Sequence, residues 1–368
     1  MMLNSRKQKK VLVALSGGVD SAVCAALLQK QEYDVAGLFM NLGQVNLKND
    51  KSAAQAVAEK LKIPLKIVDF RKEFKQKIIK YFLNEYARGR TPNPCVKCNK
   101  EIKFGLLFKE MKKINFDFLA TGHYIRLRRQ ILNFKFQIPN KYKLKIPSKK
   151  IVYKLYKAKD EKKDQGYFLY NLKQTQLKNL FFPLGDFLKE EIIEIAKKLR
   201  LPTMEKESQD ICFLNSKDHN LFLQENLRLK KGLIKNLSGE IIGEHNGLPL
   251  YTIGQRRQIK IGGIGPFYVV RMDYKKNVLF VANKFDDKIL YSKNLFVKNL
   301  NWISGKKPAM PLKCRACIRY LHPLEKCEII LQNKKYKVNF LKSQRAITAG
   351  QSVVFYKKRE LLGGGIIC

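Results

Sequence analysis

Between Val11 and Ala120, short β-branched or apolar runs alternate with longer segments whose apolar positions recur at helical spacing. Residues 11–15, 35–40, 65–70 and 116–120 read as strands, and residues 21–30, 52–61 and 72–88 read as helices. Ile63-Pro64 marks a stop before the third strand. Strands joined by crossover helices build an open parallel sheet, which binds ligands beyond the carboxyl ends of its strands. Leu15, Ser16, Met40, Ala120 and Thr121 are therefore expected around one site.

The pattern changes after His123. Residues 125–157 are rich in Lys, aromatic and β-branched side chains and poor in acidic ones, which predicts an extended hairpin or arm. Helical spacing returns at 186–199, stopping at Leu201-Pro202, and at 217–229. From Gly232 onward Gly, Pro and Asn punctuate short alternating runs at 268–272, 278–281, 327–332 and 353–357. That punctuation predicts a small β-rich domain and a terminal β-barrel. Three domains follow, at 1–215, 216–288 and 289–368.

Charge narrows the partner. Lys and Arg number 73 against 31 Asp and Glu, a net charge of +42, so the surface attracts polyanions and nucleic acid leads the candidates. Heavy use of Lys, Asn and Ile throughout also fits a base-composition bias, so charge alone decides little. A chain of 368 residues excludes a peptide hormone or a small disulfide scaffold, and eight scattered cysteines lack the density of a secreted framework. The basic start at residues 6–10 precedes only five apolar residues, too few for a signal-peptide core, and no run reaches the roughly 20 apolar residues of a membrane span. A reducing, cytoplasmic location away from membranes is expected.

Three segments carry chemistry. Ser16-Gly17-Gly18-Val19-Asp20-Ser21 lies between a predicted strand and helix. Its glycines permit a tight turn and close approach to a ligand, and the helix start that follows offers N–H groups to an anion. No lysine follows, so this is not the GxxxxGK[ST] loop. It matches the SGGxDS pattern of enzymes that cleave ATP to AMP and pyrophosphate. The second segment is Thr91-Pro92-Asn93-Pro94-Cys95-Val96-Lys97-Cys98-Asn99, read as an extended loop with a helix beginning near Asn99. A helix start beside Lys97 and Lys100 is expected to lower the Cys98 thiol pKa. Cys95-x-x-Cys98 and Cys314-x-x-Cys317 each resemble half of a zinc site, but they lie too far apart in sequence for a zinc ribbon. In the third segment, residues 207–214, Cys212 stands between Ile211 and Phe213, where a cysteine by itself suits packing as well as chemistry. His219, His245, His322, Trp302 and Cys24 lack any ligand spacing and read as structural or surface residues, with no metal site among them.

Taken in order, these segments resemble the bacterial tRNA-specific 2-thiouridylase family. The likeness rests on SGGVDS at 16–21, Leu38-Phe39-Met40, RTPNPCVKCNKEIKF at 90–104 and Thr121-Gly122-His123-Tyr124. It continues through Lys163-Asp164-Gln165, SQDICF at 208–213, Tyr251-Thr252-Ile253-Gly254-Gln255-Arg256, Ile318-Arg319-Tyr320, Gln344-Arg345-Ala346 and the glycine-rich 362–366. The resemblance implies an α/β N-terminal domain like the adenine-nucleotide alpha hydrolases, then a small central α+β domain and a C-terminal β-barrel. It implies that ATP with Mg2+ adenylates the C2 oxygen of the wobble uridine and that a protein-bound persulfide then displaces AMP. By motif, Ala14, Leu15, Ser16, Gly17, Gly18, Val19, Asp20, Ser21, Met40 and Gly122 would hold ATP. Cys212 would carry the persulfide, loaded by a cysteine desulfurase or relay protein, and Cys98 would be the second active thiol. Asn93, Pro94 and Cys95 would surround a flipped base, while His123, Lys163, Asp164, Gln165, Arg319, Tyr320 and Gln344 would contact tRNA.

The chain departs from the family pattern in places. Cys95 stands where some members carry an acidic residue, the 126–150 segment is expanded and basic, Gly166 replaces a common serine, Gln258-Ile259-Lys260 replaces a glycine-rich stretch, and Ala349 replaces a proline. Other ATP pyrophosphatases acting on small molecules would not need both thiols, and a non-catalytic RNA-binding protein would not need the 16–21 loop. With 114 positions between them, Cys98 and Cys212 are expected to stand apart at rest and to meet when tRNA binds. Oligomeric state is not legible.

Overall fold

The structure, a computed structural model, describes residues 8–135, 147–204, 211–214, 219–259, 261 and 266–368. Strands β1 (Lys10–Ala14), β2 (Asp34–Asn41), β3 (Leu65–Asp69), β4 (Phe118–Ala120) and β7 (Leu180–Phe181) form one parallel sheet in the order β3-β2-β1-β4-β7. Central β1 is buried on both faces through Val11, Leu12 and Val13, which explains its unbroken apolar run. Helix α1 (Val19–Lys30) packs with Ala22, Val23, Ala25 and Leu28 inward, and α2 (Leu47–Leu61) begins five residues before its apolar spacing becomes visible. The helix expected at 72–88 runs over 71–87 with one π turn in its middle, Lys75–Ile79. The helix expected at 186–199 is Lys189–Lys198, and the one expected at 217–229 is described as His219–Asn226, residues 217 and 218 lying outside the described set.

Residues 94–113 form a single helical stretch, π-wound over Asn99–Leu106, which corrects the expected start near Asn99. Pro94 takes the first helical position, and Asn93 caps it by accepting the Val96 N–H on its side chain at 3.2 Å. Proline at that position loses no hydrogen bond, and asparagine satisfies an orphan donor, so the Asn-Pro pair starts a helix.

Residues 126–157 form a hairpin, β5 (Arg126–Lys135) and β6 (Pro147–Tyr156), its tip at 136–146 lying outside the described residues. In the central region β8 (Gly232–Lys235), β9 (Ile241–His245), β10 (Tyr268–Asp273) and β11 (Val278–Ala282) make a four-stranded sheet; Lys260 lies outside the described residues. The C-terminal strands β12 (Tyr291–Trp302), β13 (Leu312–Cys317), β14 (Glu325–Gln332), β15 (Lys335–Arg345), β16 (Ser352–Lys357) and β17 (Glu360–Ile367) close through a β12–β17 pairing into a six-stranded barrel. β17 also pairs with β6, which joins the hairpin to the barrel.

The Thr91–Pro94 segment sits where all three regions meet. Its Thr91 N–H donates to Ala349 O at 2.9 Å and Gln351 Nε2 donates to Thr91 O at 3.0 Å, both from the barrel, while Thr91 and Thr252 hydroxyls share a 2.9 Å hydrogen bond. Beside it the Tyr167 hydroxyl donates to Ser352 O at 3.0 Å. The barrel thereby fixes the backbone that leads into Cys95 and Cys98. No helix among the described residues is long and apolar enough to cross a membrane.

Candidate active site

The 16–21 loop leaves β1 and enters α1 with Gly18 in extended backbone at the cap position and no side chain capping the helix. Among the described residues none caps that first turn, which leaves its N–H groups open to an acceptor such as a phosphate. Ser21 stitches the turn: its Oγ accepts the Ser16 N–H at 3.1 Å and donates to Gly18 O at 2.9 Å, with Ser16 Oγ 3.2 Å away. Gly17 has φ of 81°, and a Cβ there would sit 2.8 Å from both Ala53 Cβ and Asp50 O on α2. Gly122, after β4, lies so close that a Cβ would reach 2.9 Å from the Asp20 carbonyl carbon. Leu15 is buried behind the loop, Ala14 and Met40 are half-buried, and Val19 opens α1.

Asp20 is engaged. Its Oδ1 accepts from Lys189 Nζ at 2.6 Å and from the Tyr124 hydroxyl at 2.8 Å. Burial and the Asp20 carboxylate both raise the Tyr124 hydroxyl far above its ordinary pKa, so it remains a donor.

The thiols gather at the neighbouring edge. Cys95 and Cys98 lie one turn apart on the 94–113 helix, and Cys98 is buried with Phe74, Ile78 and Ile102. Met40, at the end of β2, packs on the same cluster and so links the thiols to the sheet edge. Cys212 arrives on a turn closed by Leu214 N–H to Ile211 O at 2.9 Å. Phe213 pins that turn, its ring lying 5.8 Å from Phe74, 5.4 Å from Phe82 and 5.6 Å from Phe222. Cys98 and Cys212 are near enough that charge on Cys212 opposes ionisation of Cys98, and Cys95 opposes both. Phe213, next to Cys212, packs on the cluster that buries Cys98, while Cys212 itself is exposed. Residues 205–210, which precede the turn and include most of the acidic part of its motif, lie outside the described set.

The expected low thiol pKa at Cys98 is also corrected. The helix starts five residues earlier, at Pro94, so Cys95 rather than Cys98 occupies its first turn. Burial pushes the Cys98 thiol up to about 12, and it raises Cys95 and Cys212 as well; Lys103 opposes the rise at all three. Cys212 is solvent-exposed. Because burial raises the Cys98 pKa, its thiolate is scarce at neutral pH and grows about tenfold for each pH step up to that value. Iodoacetamide is expected to alkylate native Cys98 at least about a hundredfold more slowly at pH 8 than the unfolded chain, and Lys103→Met should slow it further. Equal rates in native and unfolded protein would mean that the thiol is not desolvated.

The other anticipated contacts divide by burial. His123 lies inside, bonded through Nδ1 to the Thr121 hydroxyl at 2.8 Å and packed by Phe104 and Phe182, and desolvation keeps its ring neutral. Asp164 is also buried, accepting the Ala158 N–H at 2.8 Å, and burial raises its carboxyl to about 6. His123 thus steadies a neighbouring side chain and Asp164 the backbone of Ala158. Gln165 Oε1 accepts the Tyr124 N–H at 3.0 Å. Arg319 donates to Ala346 O at 2.7 Å, Tyr320 packs on Phe168 with ring centres 4.5 Å apart, and Gln344 is half-buried on β15. Pro94 is buried, Asn93 spends its side chain on the cap, and Cys95 is half-exposed.

Cys314 faces Cys327 across β13 and β14 with the sulfurs 3.6 Å apart. No group of three His, Cys, Asp or Glu side chains fit to hold a metal occurs among the described residues. Lys189 and Asp160 carry no local signal, since Lys189 meets Asp20 far earlier in the chain and Asp160 holds Lys189. Lys103 and Phe213 lie inside the motifs at 90–104 and 208–213, and their effect on the thiols appears only in the fold.

Known proteins extend these observations. The tRNA methyl transferase HUP domain family matches residues 9–216, the tRNA methyl transferase PRC-barrel domain family residues 220–283, and the aminomethyltransferase beta-barrel domain family residues 292–367. The chain is 40% identical over 380 residues to a tRNA-specific 2-thiouridylase MnmA of Coxiella burnetii, covering 100% of both chains. It is 41% identical over 366 residues to tRNA-specific 2-thiouridylase MnmA 2 of Clostridium botulinum, covering 97% of this chain and 98% of that one. A Geobacillus thermodenitrificans relative of the same name is 40% identical over 370 residues, with 98% and 95% covered. Among solved structures, an NMN synthetase from Francisella tularensis is similar with a TM-score of 0.32 and 17% identity, covering 54% of this chain and 64% of that one.

Proposed function

The chain belongs to the tRNA-specific 2-thiouridylase family, and from that membership we propose that it uses ATP and a protein-bound persulfide to replace the C2 oxygen of a wobble uridine in tRNA by sulfur. The observation that supports the reading is the phosphate-type loop at 16–21, together with the packing of Phe213, next to Cys212, on the cluster that buries Cys98.

The first-turn N–H groups of α1, with Ser16 and Gly17, fit the phosphates of ATP, and Asp20 is the carboxylate suited to an accompanying magnesium ion. ATP supplies the adenylyl group that makes the C2 oxygen a leaving group. Asn93, Pro94 and Cys95 form the wall for the extruded base, and the Thr91 junction sets that wall against the barrel. The terminal sulfur of a Cys212 persulfide attacks C2 and AMP departs. The Cys98 sulfur attacks Sγ of Cys212, breaking its bond to the transferred sulfur and leaving a Cys98–Cys212 disulfide that an external thiol reduces. A reducing cytoplasm suits that last step. Lys163, Gln165, Arg319, Tyr320 and Gln344 offer contacts for tRNA, with His123 and Asp164 supporting them from within.

Comparing tRNA nucleosides from cells with and without the protein by mass spectrometry tests the reading. Loss of 2-thiouridine derivatives is expected, and unchanged levels would remove the function. Binding to tRNA should also weaken steeply with salt, and each phosphate contact removed, beginning with Arg129→Ala on the exposed hairpin, should lower the log–log slope by roughly 0.7 to 0.9. A flat salt titration would assign the +42 charge to composition.

A further inference from the structure

Asp20 Oδ1 is gripped by two donors from outside its own loop, Lys189 Nζ at 2.6 Å and the Tyr124 hydroxyl at 2.8 Å. The Lys189 side chain is only 17% exposed, and its ammonium stands 5.9 Å from the Tyr124 ring centre. Such shielding makes this a stronger constraint than a surface ion pair.

Both donors are tied to one turn. The Lys189 N–H donates to Asp160 Oδ2 at 3.0 Å, and Asp160 Oδ1 accepts the N–H groups of Lys162 and Lys163 at 3.0 and 3.2 Å. Tyr124 is bracketed by Gln165, whose Oε1 accepts its N–H and whose N–H donates to its carbonyl at 2.9 Å. Residues 160–165 thus reach Asp20 by two routes, through Asp160 and Lys189 and through Gln165 and Tyr124.

We infer that Lys189 is a positioning residue for the Asp20 carboxylate, and that the 160–165 turn sets it through Asp160. This rests on the reading of the 16–21 loop as the ATP site. Two donors on one oxygen select a single carboxylate rotamer, and the ammonium lowers the negative charge that a triphosphate would otherwise meet. A polyanion that draws on the Lys163 turn also draws on the anchor of Lys189, which couples the two sites.

A mutant cycle read by calorimetry with a non-hydrolysable magnesium-ATP analogue tests this, with Tm recorded for every variant. Lys189→Met is expected to weaken binding about tenfold or more, and Lys189→Arg to stay within about threefold of the unaltered protein. In the Asp20→Asn background Lys189→Met should cost less than about twofold further, because a positioning residue has nothing left to position. Asp160→Ala should cost roughly threefold alone and nothing more beside Lys189→Met. Additive losses would overturn the inference and make Lys189 a direct ligand of the nucleotide. Affinity unchanged in Lys189→Met, with or without a lowered Tm, would overturn it as a purely structural pair. Failure of the unaltered protein to bind the analogue would sink the ATP reading together with the inference.

Discussion

Cys212→Ser should abolish thiolation, by roughly a thousandfold or more, while single-turnover pyrophosphate release with ATP and tRNA persists. The two steps use different groups: adenylation draws on the 16–21 loop, and sulfur delivery on the thiols. Cys98→Ser should lose thiolation as severely, yet still accept sulfur on Cys212, whose turn is fixed by Phe213 and not by Cys98. Cys95→Ala should retain most activity. Peptide mapping after one turnover separates the roles, because a disulfide joining Cys98 to Cys212 is expected in the unaltered protein. A disulfide joining Cys95 to Cys98, or full thiolation by the Cys212 variant, would reverse the assignment.

The second large effect belongs to Gly122. Its ideal Cβ would lie 2.9 Å from the Asp20 carbonyl carbon and 3.1 Å from the Asp20 oxygen, distances that real Cβ atoms avoid against backbone. Gly122→Val must push the first turn of α1 away from the strand ends, together with the N–H groups offered to phosphate. ATP affinity is expected to fall about a hundredfold, with tRNA affinity changed less than about threefold. Retained ATP affinity would show that nucleotide does not depend on that turn.

Much of this arrangement was legible in the chain. The buried parallel strands carry unbroken apolar runs, and the Ser-Gly-Gly-Val-Asp-Ser loop announces itself between strand and helix. The two prolines of 91–94 suggest an extended loop by local pattern, whereas the Asn93-Pro94 pair is itself a cap followed by a first helical residue. The thiol pKa went the other way for a tertiary reason. Charge and helix position are local and favour a thiolate, but Phe74, Ile78 and Ile102 close over Cys98 only in the fold, and desolvation outweighs both. The packing of Phe213, next to Cys212, on the Cys98 cluster depends likewise on aromatic residues far earlier in the chain.

The pairing of β6 with β17 bears on how the protein is made. Tyr156 and Leu155 find their partners, Glu360 and Leu361, at the far end of the chain. At roughly 5–20 residues per second, a ribosome needs on the order of 10–40 s to synthesise the intervening stretch. Throughout that interval the nascent β5–β6 hairpin presents an unpaired edge, the feature through which strands of neighbouring nascent chains would join. The density of Lys and Arg along 126–157 supplies mutual repulsion between such edges. That repulsion would keep such edges apart until Glu360 and Leu361 emerge to pair with Tyr156 and Leu155 at the base of the hairpin.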